Sequence, residues 1–307
     1  MIKLQEGCTV QPQTKEELAA IIKQTCEEQG WDCDLNFIDT SKITDMSMLF
    51  CLDYVGDEEL GYGLNKFNGD ISRWDTSNVT DMSCMFSFAE SFNQPLDNWD
   101  TSNVKSMLDM FSYAKSFNQP LNNWDTSNVE DMEGMFYGAY SFNQPLNNWN
   151  TSNVKRMSNM FSYAKSFNQP LDNWDTSNVK YMESMFWGAK SFNQPLDNWN
   201  VSNVENMRGM FWGAESFNQP LNNWDTSNVE DMKCMFGYSY ADSFKSELPD
   251  FKKFKGSKEK LLDDLGLPPD FKPVKKKNQE QKQTHKKCMS RLILTWQQIT
   301  KKGNIND

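Results

Sequence analysis

Apolar residues recur in this chain at two spacings. Over short windows they fall at i, i+3, i+4 and i+7, as in Met82, Met85, Phe86 and Ala89. That spacing predicts one face of a short helix. Over longer distances the whole pattern returns every 25 residues, marked by Trp74, Trp99, Trp124, Trp149, Trp174, Trp199 and Trp224. With the Trp as position 1, the unit reads W-D-T-S-N-V-x-x-M-x-x-M-F-x-x-A-x-S-F-N-Q-P-L-x-N. Seven copies are clear. A degenerate copy starts at Ile38 as IDTSKITDMSMLF, separated from the next by an insertion near 51–61, so about eight coils are expected.

The unit divides by its periodicity. Ser77 or Asn78 suits the N-cap of the short helix. Phe-Asn-Gln-Pro around Pro95 reads as a turn, because proline lacks an amide donor. Leu96, Trp99 and Thr101 follow the L-x-x-L-x-L strand of a leucine-rich repeat, with Asp100 and Ser102 pointing outward. One such unit cannot bury its apolar side alone, but stacked copies can. The expected fold is therefore an α/β repeat solenoid, leucine-rich-repeat-like. It has one short parallel β-strand and one short helix per coil, and an N-terminal helical cap. Trp then stacks on Trp, Phe on Phe and Met on Met. Fourteen of the 18 methionines occupy the paired positions from Met82 to Met235, and the Asn103 series forms a polar ladder.

The ends depart from the pattern. Thr14-Lys15-Glu16-Glu17 matches a capping box, Leu18, Ile21, Ile22 and Cys26 supply an apolar face, and Gly30 stops the helix. This defines a capping region over 1–36 and a solenoid over 37–248. Residues 249–307 form a basic tail, in which Met289, Leu292, Ile293, Trp296 and Ile299 trace a basic amphipathic helix. That helix suits a partner groove, an anionic membrane surface, the solenoid itself or a second copy.

Charge sharpens the division. The tail holds 15 Lys or Arg against 7 Asp or Glu, whereas residues 1–248 hold 16 against 35. The acidic body repels nucleic acid, and the tail attracts anionic surfaces. His285 is the only histidine, which removes Ser-His-Asp, Cys-His and multi-histidine metal sites. No glycine-rich phosphate loop is present. Asp75, Asp100, Asp125, Asp175 and Asp225 recur in register, as an edge would and as an isolated acid/base pair would not. No catalytic residue, cofactor or metal is therefore assigned. The seven cysteines lack a CxxC pair and read as free thiols. MIKLQEGCTVQPQ has no apolar run like a signal peptide, so the sequence by itself suggests a cytoplasmic protein.

The positions that vary are the candidates for function. Positions 14 and 15 supply one aromatic per coil: Phe88, Tyr113, Tyr137, Tyr163, Trp187, Trp212 and Tyr238. The row is either an exposed contact stripe for protein or glycan, or a set of rings covering the gaps between coils. Positions 7 and 8 range from Lys155-Arg156 to Glu130-Asp131.

The words W-D-T-S-N-V-x-x-M-x-x-M-F and S-F-N-Q-P-L-x-N resemble the BspA-type leucine-rich-repeat proteins of bacteria, whose repeat also occurs in mycoplasma lipoproteins. TKEELAAIIKQT…DLNFIDTSKITDMSMLF is similar to that family's N-terminal cap. The resemblance covers residues 14–248. It implies a non-enzymatic surface or host-interacting protein, such as an adhesin, recognising protein or glycan. The alternative is an intracellular scaffold whose C-terminal helix docks a partner.

Overall fold

The computed structural model describes residues 9–52, 62–237 and 258–265. The chain is a repeat protein whose equivalent residues stack coil on coil. Helix α1, Lys15–Gln29, starts at Thr14, whose extended backbone lets its Oγ1 accept from the Glu17 amide at 3.2 Å. Glu17 reaches back to accept from the Gln13 amide at 2.8 Å, and Gly30 ends the helix at φ 97°. Both termini thus satisfy groups that a helix end leaves open. Leu18, Ala19, Ile22 and Cys26 enter the main core beside Leu35, Ile38 and Ile43. At the other end, α2, Lys258–Asp264, lies in the stretch expected to be basic tail. Leu262 and Leu265 belong to the same core.

The coils differ from the expected strand and helix. The segment from Met82 to Ala89 is a chain of tight turns: Met85 N bonds Met82 O at 3.2 Å, Ser87 N bonds Cys84 O at 3.1 Å, and Ala89 N bonds Phe86 O at 3.0 Å. The alternate amides of Met82, Cys84, Phe86 and Phe88 donate to Ser106, Leu108, Met110 and Ser112 in the next coil, at 2.7–3.1 Å. Cys84 and Phe88 sit at φ 56° and 59°, outside the helical region. Turns closed every few residues on one side produce the same i, i+3, i+4, i+7 spacing as a helix. The neighbouring coil supplies the acceptors that a helix would find within itself.

Leu96, Trp99 and Thr101 likewise form no strand ladder. Trp99 N closes a turn onto Leu96 O at 3.2 Å. Parallel bridging is instead one residue wide and runs through position 8: Asp45, Asp81, Ser106, Asp131, Arg156, Tyr181, Asn206 and Asp231.

Side chains complete the junctions. Successive indoles from Trp74 to Trp224 lie 6.2–6.5 Å apart and within 4° of parallel. The Phe86 series stacks at 5.3–5.7 Å. Phe92 and its equivalents pack against it about 4 Å away, for example Phe111 on Phe117 at 4.1 Å. Paired methionines fill the remainder and are buried throughout. Polar ladders accompany the rings. Thr101 Oγ1 donates to Asp125 O at 2.9 Å. Asn103 Nδ2 donates to Ser77 O at 2.7 Å. Asn93 Oδ1 accepts from the Asn118 amide at 2.9 Å. The repeated asparagines therefore pair backbone groups left over by the turns.

Candidate binding surface

Each of the six coils that begin at Trp74 through Trp199 carries two left-handed residues, at positions 11 and 15. Examples are Asp109 and Tyr113, Gly134 and Gly138, and Ser184 and Gly188. Position 15 explains the shifting offset of the aromatic row. Where it is Phe88, Tyr113 or Tyr163, the ring leaves from the left-handed residue itself. Where it is Gly138, Gly188 or Gly213, the ring comes from the residue before it, Tyr137, Trp187 or Trp212. Packing adds a second reason for glycine. A Cβ on Gly138 would lie 2.8 Å from Tyr113 Cδ1, and one on Gly188 would lie 2.8 Å from Tyr163 Cδ1.

The rings form a continuous row. Phe88 stacks on Tyr113 at 4.7 Å, Tyr113 meets Tyr137 edge-on at 5.0 Å, and Tyr137 meets Tyr163 edge-on at 6.0 Å. Tyr163 and Trp187 lie 6.1 Å apart, and Trp187 and Trp212 lie 6.0 Å apart. Tyr113 and Tyr137 also share a hydroxyl hydrogen bond at 3.3 Å. The row is graded in exposure. Phe88 and Tyr163 are 37% and 36% exposed, Tyr113, Tyr137 and Trp187 are half-buried, and Trp212 is buried with Cys234 in a cluster apart from the main core. The rings thus cover one another and still present a surface. Tyr238 and the tail face of Met289, Leu292, Ile293, Trp296 and Ile299 lie outside the described residues.

Position 17 borders the row with Glu90, Lys115, Tyr140, Lys165, Lys190 and Glu215. Lys115 pairs with Glu90 at 2.6 Å, Lys190 pairs with Glu215 at 2.9 Å, and Lys165 lies 4.0 Å from the centre of the Tyr140 ring. Tyr140 is half-buried beneath Lys165, and Tyr181, in the bridge row at position 8, is 40% exposed. Both stand at variable positions outside the one-aromatic-per-coil rule, so that rule passed over them.

The patchwork at the other variable positions has an order of its own. Glu130 faces Lys155, Glu133 faces Arg156, Lys180 faces Glu205, and Arg208 faces Asp231, each across one coil junction. Such exposed pairs stabilise little individually.

Burial holds two carboxylates, Asp109 and Glu183, above the usual carboxylate range. Burial, with repulsion from Glu133 and Asp131, pushes Asp109 up to about 6 against the opposing hydrogen bond from Ser112. Among the described residues no group of three or more His, Cys, Asp or Glu side chains is arranged to hold a metal ion. No described helix is long and apolar enough to cross a membrane. Cys26, Cys33 and Cys84 are free thiols, but Cys234 is disulfide-bonded, which corrects the expectation of seven free thiols.

A column of 25-residue coils joined by side-chain and backbone ladders defines a stacked-repeat protein. The family described as "Mycoplasma protein of unknown function, DUF285" matches residues 21–149 and 139–251, and the chain belongs to that family. No curated protein and no solved structure matches it.

Proposed function

We propose that the protein is a non-enzymatic binding protein: a leucine-rich-repeat-like solenoid at the cell surface that recognises an extended protein or glycan through its variable face. One observation carries this reading. The invariant residues of the repeat are consumed in junctions between coils. The variable residues at positions 14 and 15 form a row of touching rings from Phe88 through Tyr163 to Trp187, bordered by the mixed charges of Glu90, Lys115, Lys165, Lys190 and Glu215. Graded aromatic exposure beside charged side chains of both signs suits contact with an extended ligand.

The test is binding of the purified full chain to arrayed glycans and surface proteins, alongside a Phe88→Ala/Tyr163→Ala variant. The expected result is a ligand whose affinity falls at least about tenfold in the variant, equivalent to about 1.4 kcal/mol, while thermal unfolding stays close to wild type. Binding that ignores both substitutions would remove the stripe from the reading. Complete protection of the protein from protease on intact cells would remove the surface location.

A further inference from the structure

We propose that Cys26 and Cys33 are the two halves of a disulfide that fastens α1 to the first coils. Their Sγ atoms stand 3.6 Å apart, and a disulfide bond measures about 2.05 Å. Closure needs an approach of roughly 1.5 Å. Cys26 lies in the last turn of α1 and is 2% exposed; Cys33 lies in the segment after it and is 9% exposed.

The two cysteines belong to parts held in different ways. α1 is held by its apolar face, through Leu18, Ala19 and Ile22. The segment after it is held by backbone hydrogen bonds to the next coil: Asn68 N donates to Trp31 O at 2.9 Å, and Leu35 N donates to Asp70 O at 2.9 Å. The contact is close enough that a Cβ on Gly69 would come within 1.9 Å of Cys33 O. A Cys26–Cys33 bond therefore ties the lid of the core to a strip already anchored on the repeats. Peeling α1 away would then require breaking a covalent bond.

The reaction takes a small-molecule disulfide, such as oxidised glutathione, as the oxidant. One cysteine thiolate attacks a sulfur of the oxidant, and the first thiol leaves from a mixed disulfide. The second cysteine thiolate attacks that mixed disulfide and the second thiol leaves. The two cysteines lose two protons and two electrons, and the oxidant becomes two thiols. Burial pushes both cysteine thiols up, so few thiolates are present while the lid is closed. The bond accordingly forms as the chain folds or when α1 lifts.

The full chain should be refolded in a glutathione buffer, oxidised in one arm and reduced in the other. It is then denatured, alkylated and mapped by mass spectrometry. In the oxidised arm Cys26 and Cys33 should occur in one cross-linked species and resist alkylation until reduced, while Cys84 takes the label. The thermal midpoint of the oxidised chain should drop by several degrees on adding dithiothreitol. The corresponding drop should be smaller in Cys33→Ser, which retains the Cys234 bond. Alkylation of both Cys26 and Cys33 after the oxidising arm, or either one cross-linked elsewhere, would overturn the proposal. The mapping uses the wild-type chain, so a variant that fails to fold does not obscure it.

Discussion

The indole nitrogen of Trp149 donates to the carbonyl oxygen of Leu121 at 2.9 Å, across the junction between two coils. The same bond recurs from Trp74 to Leu35 through Trp224 to Leu196. Each tryptophan therefore joins its neighbours by stacking and by a buried polar contact. Trp149→Phe keeps much of the ring but leaves a buried carbonyl without that donor. Equilibrium urea unfolding should show a loss of about 1–3 kcal/mol. Trp149→Ala, which also opens a cavity, should cost about 3–5 kcal/mol. If phenylalanine cost as much as alanine, ring volume and stacking would count for nothing at this position.

Gly188 and Tyr163 should be coupled. Gly188→Ala places a side chain at φ 66° and within 2.8 Å of the Tyr163 ring. It should destabilise by about 1–3 kcal/mol, from backbone strain and overlap together. Tyr163→Ala removes the overlap but not the strain. In a double-mutant cycle the two changes should cost less together than their sum, with a coupling of at least about 0.5 kcal/mol. Strict additivity would mean that the ring over the glycine exerts no pressure.

Asp109 should make stability depend on pH with an unusual sign. Its folded value of about 6 lies above the roughly 3.9 of an unfolded aspartate. The folded chain therefore holds this proton more tightly. The stability so gained is fully present below the unfolded value and is lost as pH rises through about 6. Asp109→Asn should raise the thermal midpoint more at pH 7.5 than at pH 4, by an amount corresponding to about 1–3 kcal/mol. Because asparagine also tolerates the left-handed backbone at Asp109, φ 51°, the difference between the two pH values is the diagnostic quantity. An equal shift at both would mean that the carboxyl is not perturbed.

A whole coil should be removable. Deleting residues 124–148 brings Trp149 onto Trp99 and Asn153 beneath Ser102, reproducing ladder contacts already made at each junction. The shortened chain should unfold cooperatively with a reduced denaturant slope, in proportion to the surface lost. A molten chain without a cooperative transition would show that the ion pairs across that junction, and not the ladders, set the order of the coils.

The repeat, the capping box at Thr14 and the stacking of like on like were legible in the sequence, because each depends on residue type at a fixed spacing. The local backbone was not. Met82, Met85, Phe86 and Ala89 have helical spacing, yet Cys84 and Phe88 take left-handed turns and their amides bond outward to Leu108 and Ser112. Apolar periodicity records which side chains face inward and says nothing about where the amides go. The strand reading of Leu96, Trp99 and Thr101 failed for the same reason: all three are buried, but Trp99 N closes a turn onto Leu96 O. The glycines at positions 138 and 188 carried a usable signal. Each follows, one coil later, a tyrosine at the same left-handed position, and the ring of that tyrosine fills the space a Cβ would need.

The Asn93-to-Asn118 bond and its five counterparts, ending at Asn218, give every junction the same chemical handshake. No coil in the series needs to know how many precede it. Slippage during replication that adds or drops one unit leaves the new neighbours fitted to each other. Reach along the axis is thus a heritable trait that changes in whole steps, without any new contact having to evolve.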